Sequence, residues 1–280
     1  MRVGVGLPNT VPGARPDLLL RWAKLADEGA WSSLGVLDRV PYESYDPMTL
    51  LAATAEATSR IGLVTMVITG PLRANLVLAK EAATIHTLSG GRLTLGLAIG
   101  ARVDDYDRVG VPHRQRGTRL DHQLGELRDA FDDGSVGPVL NGGPDLLVGG
   151  GSDISMARTA RYADGYVHGG GPPRAFQRAA TSAQTAWATA GRPGEPQLWA
   201  QAYFALGDED AIERGRTYMR DYYAFTGPFA ERITAGLLTT RQSVVQFVRG
   251  YAEAGCDELV LLPAVAELEQ LDRLAQVVGG

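Results

Sequence analysis

Short apolar segments alternate with amphipathic ones along the whole chain. Residues 61–68 are apolar except at Thr65, a pattern typical of a strand that is buried on both faces of a parallel sheet. The apolar residues after it recur at helical spacing until Gly90 and Gly91, which stop the helix. The same alternation predicts eight strands, at residues 3–7, 33–37, 61–68, 93–99, 145–148, 165–168, 198–206 and 258–262.

Helices are predicted between these strands. The expected fold class is therefore α/β, a (β/α)8 TIM barrel in a single domain over residues 1–280. An open doubly wound sheet is the alternative, but no G-x-G-x-x-G motif follows the first strand. Thr239 and Gln242 predict a capping box at the start of one late helix. The long connections at residues 102–118 and 224–238 are expected to be loops that serve binding at the upper rim.

Composition excludes several classes of protein. The net charge of −5 and the lack of a basic stripe argue against a nucleic-acid partner, and no apolar run reaches the roughly 18 residues of a membrane span. The single cysteine, Cys256, forms no internal disulfide, and the four histidines lack the spacing of a helical metal site. The N-terminus is interpreted as a strand rather than a signal peptide, so a cytoplasmic protein is expected.

A run of three glycines follows the fifth predicted strand. Gly149, Gly150 and Gly151 would let the backbone approach a ligand closely. Ser152 can cap the next helix and leave its first N–H groups free for a phosphate, and Ser155 could add a hydroxyl. The alternative is a tight turn with an ordinary helix cap.

Polar side chains also follow two other strands. Asp38 and Arg39 follow the second strand, where they could hydrogen-bond a heterocycle or form an ion pair with each other. His168 ends the sixth strand and is the histidine best placed for proton transfer or a ring contact. Lacking G-x-S-x-G, a P-loop or paired general-acid carboxylates, the chain does not look like a hydrolase.

Two further groups of residues have simpler expected roles. Residues 102–106 are interpreted as a solvated acidic loop, although their rim position makes them a candidate wall of a binding site. The helical spacing of Tyr218, Tyr222, Tyr223 and Phe225 favours a packed core face over a substrate cage.

Three segments together resemble the luciferase-like monooxygenase superfamily, which includes bacterial luciferase and the coenzyme F420-dependent oxidoreductases. They are residues 71–100, residues 147–152 (L-V-G-G-G-S) with 160–165 (A-R-Y-A-D-G), and residues 251–261. The resemblance implies a barrel that holds FMN or coenzyme F420 at the carboxyl ends of the strands. It also implies a homodimer that acts on a small organic substrate by hydride transfer or oxygen activation.

The resemblance also implies roles for individual residues. A non-prolyl cis peptide between Met66 and Val67 is expected to lie against the ring, and the phosphate is expected near Gly150, Gly151, Ser152 and Ser155. Asp38 and Arg39 are expected to face the reactive edge of the ring. Further contacts near the ring or along its binding site are implied for Thr69, Ala98, Gly100, Gly149 and His168.

The sequence departs from the family pattern at two positions. Many F420-dependent dehydrogenases carry Asp-His where this chain has Asp38 and Arg39, and arginine cannot act as a base at ordinary pH. An arginine that helps to hold FMN in luciferase aligns near Ile99 of this chain, so that contact is absent here. The motifs therefore do not choose between the cofactors, but short actinobacterial members of the family lean toward F420, and so does this interpretation.

Two competing hypotheses remain from the sequence. The missing histidine beside Asp38 is compatible with a flavin-binding protein that has no turnover. A phosphosugar lyase or isomerase on the same barrel is the other, since fold alone does not fix function. Its Schiff-base version is disfavoured because the only lysines, Lys24 and Lys80, lie in predicted helices.

Overall fold

The computed structural model describes residues 1–279 and contains a closed barrel of parallel strands. The strands follow the order β3-β2-β1-β9-β8-β7-β6-β5, and β5 pairs with β3 to close the ring. Since β3 and β4 are two parts of one interrupted strand, the barrel has eight positions, which confirms the (β/α)8 prediction and excludes the open sheet. The strands are β1 (Arg2–Gly6), β2 (Ser33–Val36), β3 (Gly62–Thr65), β4 (Ile68–Thr69), β5 (Leu93–Ala98), β6 (Asp145–Gly149), β7 (Gly165–His168), β8 (Gln197–Phe204) and β9 (Glu258–Pro263).

The helices form a layer outside the barrel. None within residues 1–279 combines the length and the apolar character that crossing a bilayer requires. They are α1 (Pro16–Glu28), α2 (Pro47–Ala57), α3 (Asn75–Leu88), α4 (Val103–Val109), α5 (Arg116–Asp132), α6 (Asp153–Tyr162), α7 (Pro173–Thr189), α8 (Glu209–Tyr222), α9 (Phe229–Thr234), α10 (Arg241–Glu253) and α11 (Glu269–Val278).

Three details differ from the sequence prediction. The short helices α4 and α9 lie within the connections that were expected to be loops. The capping box of α10 is formed by Thr240 and Ser243, so the prediction of Thr239 and Gln242 is wrong by one residue. Both versions place a threonine three residues before a polar side chain, and only the backbone conformation decides between them.

The interior of the barrel is a packed core. Inward-facing side chains from strands around the whole ring, among them Val64, Leu147, Val167 and Val260, form one hydrophobic cluster and are almost fully buried. The barrel is therefore not a pore, and ligands can enter only at its ends.

One residue is inserted where β3 ends and β4 begins. From Val64 to Ile68 the chain advances four residues while the paired strand β5 advances three, from Thr94 to Leu97. This is a β-bulge, and the Thr65 side chain restores the lost pairing. Its hydroxyl donates to the carbonyl of Gly96 and accepts from the N–H of the same residue, both at 2.8 Å.

Replacing Thr65 with valine is expected to lower the free energy of unfolding by about 2 to 4 kcal/mol. The shapes of the two side chains match, but the buried N–H and carbonyl of Gly96 lose their partner, and each orphaned group costs about 1 to 3 kcal/mol. Urea denaturation measures the loss. Thr54→Val is the control, because the equally buried Thr54 hydroxyl bonds only the Leu50 carbonyl within its own helix. Equal losses for the two variants would contradict the bridging role of Thr65.

Candidate active site

Two neighbouring cavities open at the carboxyl ends of the strands. The first, here called the mouth pocket, has a volume of about 230 Å³. It is lined by residues that follow β2, β3 and β5, by Thr69 of β4, by β8 and by the end of α8 with the residues just after it. The second, here called the apolar chamber, has a volume of about 650 Å³. It is lined mainly by residues that follow β7, by β8, by α9 and by the segment that follows α9. Tyr203 and Tyr223 line both cavities, and their hydroxyls are hydrogen-bonded at 3.1 Å.

A further cavity of about 620 Å³ lies at the opposite end of the barrel. Glu258 is fully buried there, accepts hydrogen bonds from Ser32 and Ser33 and pairs with Arg2 at 2.8 Å. The amino ends of the strands in such barrels serve stability rather than catalysis. The candidate active site is therefore the mouth pocket.

Asp38 lies in the mouth pocket and is held from both sides. One carboxylate oxygen accepts from the Arg73 guanidinium at 3.0 Å, and the other accepts from the N–H of Thr69 at 2.9 Å. Burial raises the pKa of Asp38, while Arg73 and the Thr69 N–H oppose that rise. Arg73 was missed in the sequence, although it follows the third strand in the motif P-L-R. It also bonds Asp46 at 3.0 Å, and Asp46 in turn caps the start of α2.

Asp38 and Arg39 do not form an ion pair with each other, so that one of the two alternatives is wrong. Arg39 instead pairs with Asp104 at 3.2 Å and lies over the ring of Tyr42, 4.2 Å from its centre. Successive side chains at the end of a strand point to opposite sides, so each of these two neighbours finds its own partner. Asp38 faces the pocket, and Arg39 supports the tyrosines beside it.

Residues 102–106 do not form a solvated loop. Arg102 immediately precedes α4 and is 8% exposed, and within the helix Asp105 and Tyr106 are 2% and 0% exposed. The Arg102 guanidinium lies between two aromatic rings, 4.3 Å from the centre of Tyr222 and 4.1 Å from that of Phe225. Arg102 is thus covered by Tyr222 and Phe225, while Val103 and Asp104 of the same segment are exposed.

The aromatic cluster has two roles, so the expectation of a core face alone is wrong. Tyr218 is buried and its hydroxyl lies 2.7 Å from that of Thr10. Tyr222, Tyr223 and Phe225 pack against one another and also line the mouth pocket. The rings of Tyr222, Tyr223 and Phe225 thus form one wall of the site, whereas Tyr218 belongs to the core behind them.

The floor of the mouth pocket is formed by the interrupted strand. The peptide bond between Met66 and Val67 is cis, as the resemblance implied. Gly100 has a φ of +65°, and a side chain there would meet Thr69 at 2.5 Å. Ala98, the last residue of β5, is half-buried and lies beside Gly149 on the adjacent strand β6.

The glycine run lies beside this pocket, at the end of β6. Gly150 has a φ of +139°, and a β-carbon there would come within 2.7 Å of the Ser155 side chain. Ser152 and Ser155 form a reciprocal capping box, so the Ser155 hydroxyl is already engaged. The box satisfies the N–H of Ser155 but leaves those of Asp153 and Ile154 pointing outward at an exposed helix start, where an anion could bind.

His168 lies on the outer face of β7, toward α7. Its Nδ1 is 3.1 Å from the Tyr166 hydroxyl, and its ring packs edge-on against Phe176. Burial lowers the pKa of His168, and its Nε2 atom is enclosed without a hydrogen-bond partner. The Tyr166 hydroxyl donates to the carbonyl of Gly150 at 2.8 Å, so His168 is linked to the glycine run rather than to the mouth pocket.

The structure therefore groups the predicted residues in two places. Asp38, Met66, Val67, Thr69 and Gly100 meet in the mouth pocket, and Arg102 and Asp105 from the predicted candidate wall join them. Two residues were not predicted there: Gln201, which lines the pocket, and Arg73, which contacts it through Asp38. The glycine run and His168 lie at the neighbouring β6 and β7 ends. Gln201 could have been suspected from the sequence, since it is a polar residue inside an apolar strand.

Comparisons with known proteins agree with this geometry. The family model for luciferase-like monooxygenases matches residues 1–254. The chain belongs to the luciferase-like monooxygenase family, whose structural neighbours include F420- and FMN-dependent oxidoreductases.

Sequence relatives share part of the chain. An uncharacterized protein of Mycobacterium bovis is 30% identical over 192 residues, which are 56% of this chain and 66% of that protein. The pyrimidine monooxygenase RutA of Stutzerimonas stutzeri is 33% identical over 170 residues, or 52% of this chain and 47% of that protein. The matched segments thus span about half to two thirds of the relatives' length.

Solved structures share the fold over nearly the whole chain. An F420-dependent secondary alcohol dehydrogenase in complex with an F420–acetone adduct is 14% identical with a TM-score of 0.83, and 99% of this chain and 98% of that chain are covered. The oxygenating constituent of 3,6-diketocamphane monooxygenase from Pseudomonas putida, in complex with FMN, is 16% identical with a TM-score of 0.70. The match covers 93% of this chain and 91% of that chain.

Proposed function

We propose that the protein is an oxidoreductase that uses a flavin-type cofactor, coenzyme F420 in preference to FMN, to act on a small organic substrate. The observation that carries this proposal is the mouth pocket itself. It brings together the floor at Met66 and Val67, the buried carboxylate of Asp38 and an unpaired amide oxygen of Gln201. Family membership and the cofactors named in the neighbouring structures support it.

The residues present fit such a ring. Gln201 is 7% exposed, its Nε2 donates to the carbonyl of Gly169 at 3.2 Å, and its Oε1 has no partner. An unpaired buried acceptor favours a ligand that brings a hydrogen-bond donor, and the N–H of the pyrimidine-dione edge of FMN or F420 is such a donor. The mouth pocket alone is smaller than the roughly 300 to 1,000 Å³ of typical ligand sites, whereas the adjoining apolar chamber lies within that range. We therefore propose that the two cavities are used together.

The cofactor, when bound, would supply the hydride-transfer or oxygen-activation chemistry. Asp38 is the residue that holds or releases a proton. Burial favours its protonated form, and Arg73 stabilises its ionised form, so both forms are accessible. Tyr203 and Tyr223 exclude water from the space above the floor. Arg39 positions Asp104 and the tyrosines, and His168 steadies the glycine run through Tyr166. The first N–H groups of α6 would hold the anionic tail of the cofactor.

A parallel fluorescence titration with F420 and FMN tests the proposal. We expect saturable binding of at least one cofactor, with F420 bound more tightly. The reduced form of the bound cofactor is then expected to be consumed by oxygen or by an organic acceptor. If neither cofactor binds, the proposed function is wrong. Binding without any turnover would favour the alternative, a flavin-binding protein without catalysis, which Arg39 in place of histidine motivates.

The setting of this activity is also a proposal. We propose a cytoplasmic homodimer with a small-molecule substrate and with neither nucleic acid nor membrane as a partner. The net charge of −5 supports the exclusion of nucleic acid. Light scattering on the purified protein measures the oligomeric state, and a monomeric mass at micromolar concentration would contradict the dimer.

A further inference from the structure

Arg102 is a buried cation without a carboxylate partner. Only 8% of the residue is exposed, and its Nη1 atom is enclosed and makes no hydrogen bond. The neighbouring carboxylates are engaged elsewhere, since Asp38 pairs with Arg73 and Asp104 pairs with Arg39. Arg102 forms no ion pair with any carboxylate in residues 1–279, so its charge is not neutralised by the protein.

Asp105 does not supply the missing counter-charge. It lies one turn along α4 and is 2% exposed, and its own Oδ1 atom has no hydrogen-bond partner. No nitrogen of Arg102 lies within 4.0 Å of the Asp105 carboxylate, and burial raises the pKa of Asp105 while Arg102 opposes that rise. The rings of Tyr222 and Phe225 attract the cation, but neither carries the negative charge that would neutralise it.

A buried charge and an unpaired N–H donor both cost free energy unless a partner satisfies them. Arginine presents a planar fork of donors that matches a carboxylate. The guanidinium lines the mouth pocket together with Asp38. No residue of the glycine run after β6 is among the described residues that line this pocket. Arg102 is thus placed with the groups that would meet a substrate, apart from the proposed anchor of the cofactor tail.

We propose that Arg102 binds the carboxylate of the substrate, so that the protein acts on small carboxylic acids. The apolar or aromatic body of such an acid would pack against Tyr222, Tyr223 and Phe225, which surround the guanidinium. This inference rests on the proposed function for the reaction itself, but not for the recognition of the carboxylate.

Calorimetric titration of the full chain with benzoate and benzamide tests the inference. The two probes share their shape and differ in charge. We expect benzoate to bind at least tenfold more tightly than benzamide to the wild type, and Arg102→Gln to remove at least tenfold of the benzoate affinity while leaving benzamide unchanged. Arg108→Gln is the matched control, because Arg108 is exposed on the same helix and outside the pocket. It is expected to bind both probes like the wild type.

Three results would overturn the inference: equal affinity for benzoate and benzamide, no change in Arg102→Gln, or inorganic phosphate binding at the Arg102 site as tightly as benzoate. The last would assign the site to the cofactor tail. If Arg102→Gln fails to fold by circular dichroism, Arg102→Lys keeps the charge without the fork and is expected to lose about threefold to tenfold in benzoate affinity. Because these titrations need no cofactor, benzoate binding by a protein that binds neither FMN nor F420 would refute only the proposed function.

Discussion

Replacing Arg73 with methionine is expected to lower the free energy of unfolding by about 3 to 5 kcal/mol at pH 7. Asp38 would remain buried, with only 2% of its side chain exposed, and would keep one backbone donor but lose its counter-charge. Removing one partner of a buried ion pair costs about this much, because the other charge is left without compensation. Such a loss is a large part of the roughly 5 to 15 kcal/mol that stabilise a typical protein.

The loss should depend on pH in a defined direction. The pKa of Asp38 is already raised by burial, and without Arg73 it rises further. A carboxyl group with a raised pKa contributes stability below its unfolded pKa, near 3.9, and loses that contribution as the pH rises through the folded pKa. The difference between Arg73→Met and the wild type should therefore be smaller at pH 4 than at pH 7. Denaturant titrations at both pH values measure it.

Asp38→Asn provides the control for this prediction. With the carboxylate gone, Arg73 still pairs with Asp46, and the added Arg73→Met change should cost no more than about 1 kcal/mol. A double-mutant cycle then isolates the coupling between Asp38 and Arg73. If the loss is the same at both pH values, or the same in the Asp38→Asn background, the pair does not stabilise the pocket as described.

Replacing Gly150 with alanine is expected to weaken binding of F420 or FMN at least tenfold and to cost about 1 to 3 kcal/mol of stability. The φ of +139° is strained for alanine, and the added carbon would displace Ser155 from the capping box that aligns the first N–H groups of α6. Fluorescence titration measures the affinity, and chemical denaturation measures the stability.

Gly151→Ala is the matched control because a β-carbon at Gly151 meets no atom within 4 Å. Its stability should stay within about 0.5 kcal/mol of the wild type, as is usual for surface positions. If Gly150→Ala binds the cofactor like the wild type, the anionic tail is not held at this helix start. The proposed function would then have to place the tail elsewhere on the rim.

The barrel could be predicted from the sequence because parallel strands that are buried on both faces consist of continuous apolar residues. Residues 61–68 and 93–99 show this pattern, and the structure has strands at both places. The position of Asp38 and of Gly100 at strand ends was visible for the same reason. Local patterns of this kind fix which residues reach the rim, but not what each of them contacts there.

The partners of the rim residues depend on contacts between distant segments. Asp38 binds an arginine 35 positions away, which no local period reveals. Arg102, Asp105 and Tyr106 looked like a solvated loop because their charges dominate the pattern. Arg102 is buried because Tyr222 at the end of α8 and Phe225 just after it, more than a hundred residues later, cover its guanidinium, and both rings also line the pocket.

The Asp46 carboxylate makes two interactions at once. One oxygen closes the first turn of α2 through the N–H of Thr49 at 2.8 Å, and the other bonds the Arg73 guanidinium that bonds Asp38. The half-exposed carboxylate of Asp46 is therefore linked to Asp38 in the mouth pocket through a single guanidinium. A substitution at Asp46, which lies outside the mouth pocket, is therefore expected to shift the proton affinity of Asp38 inside it.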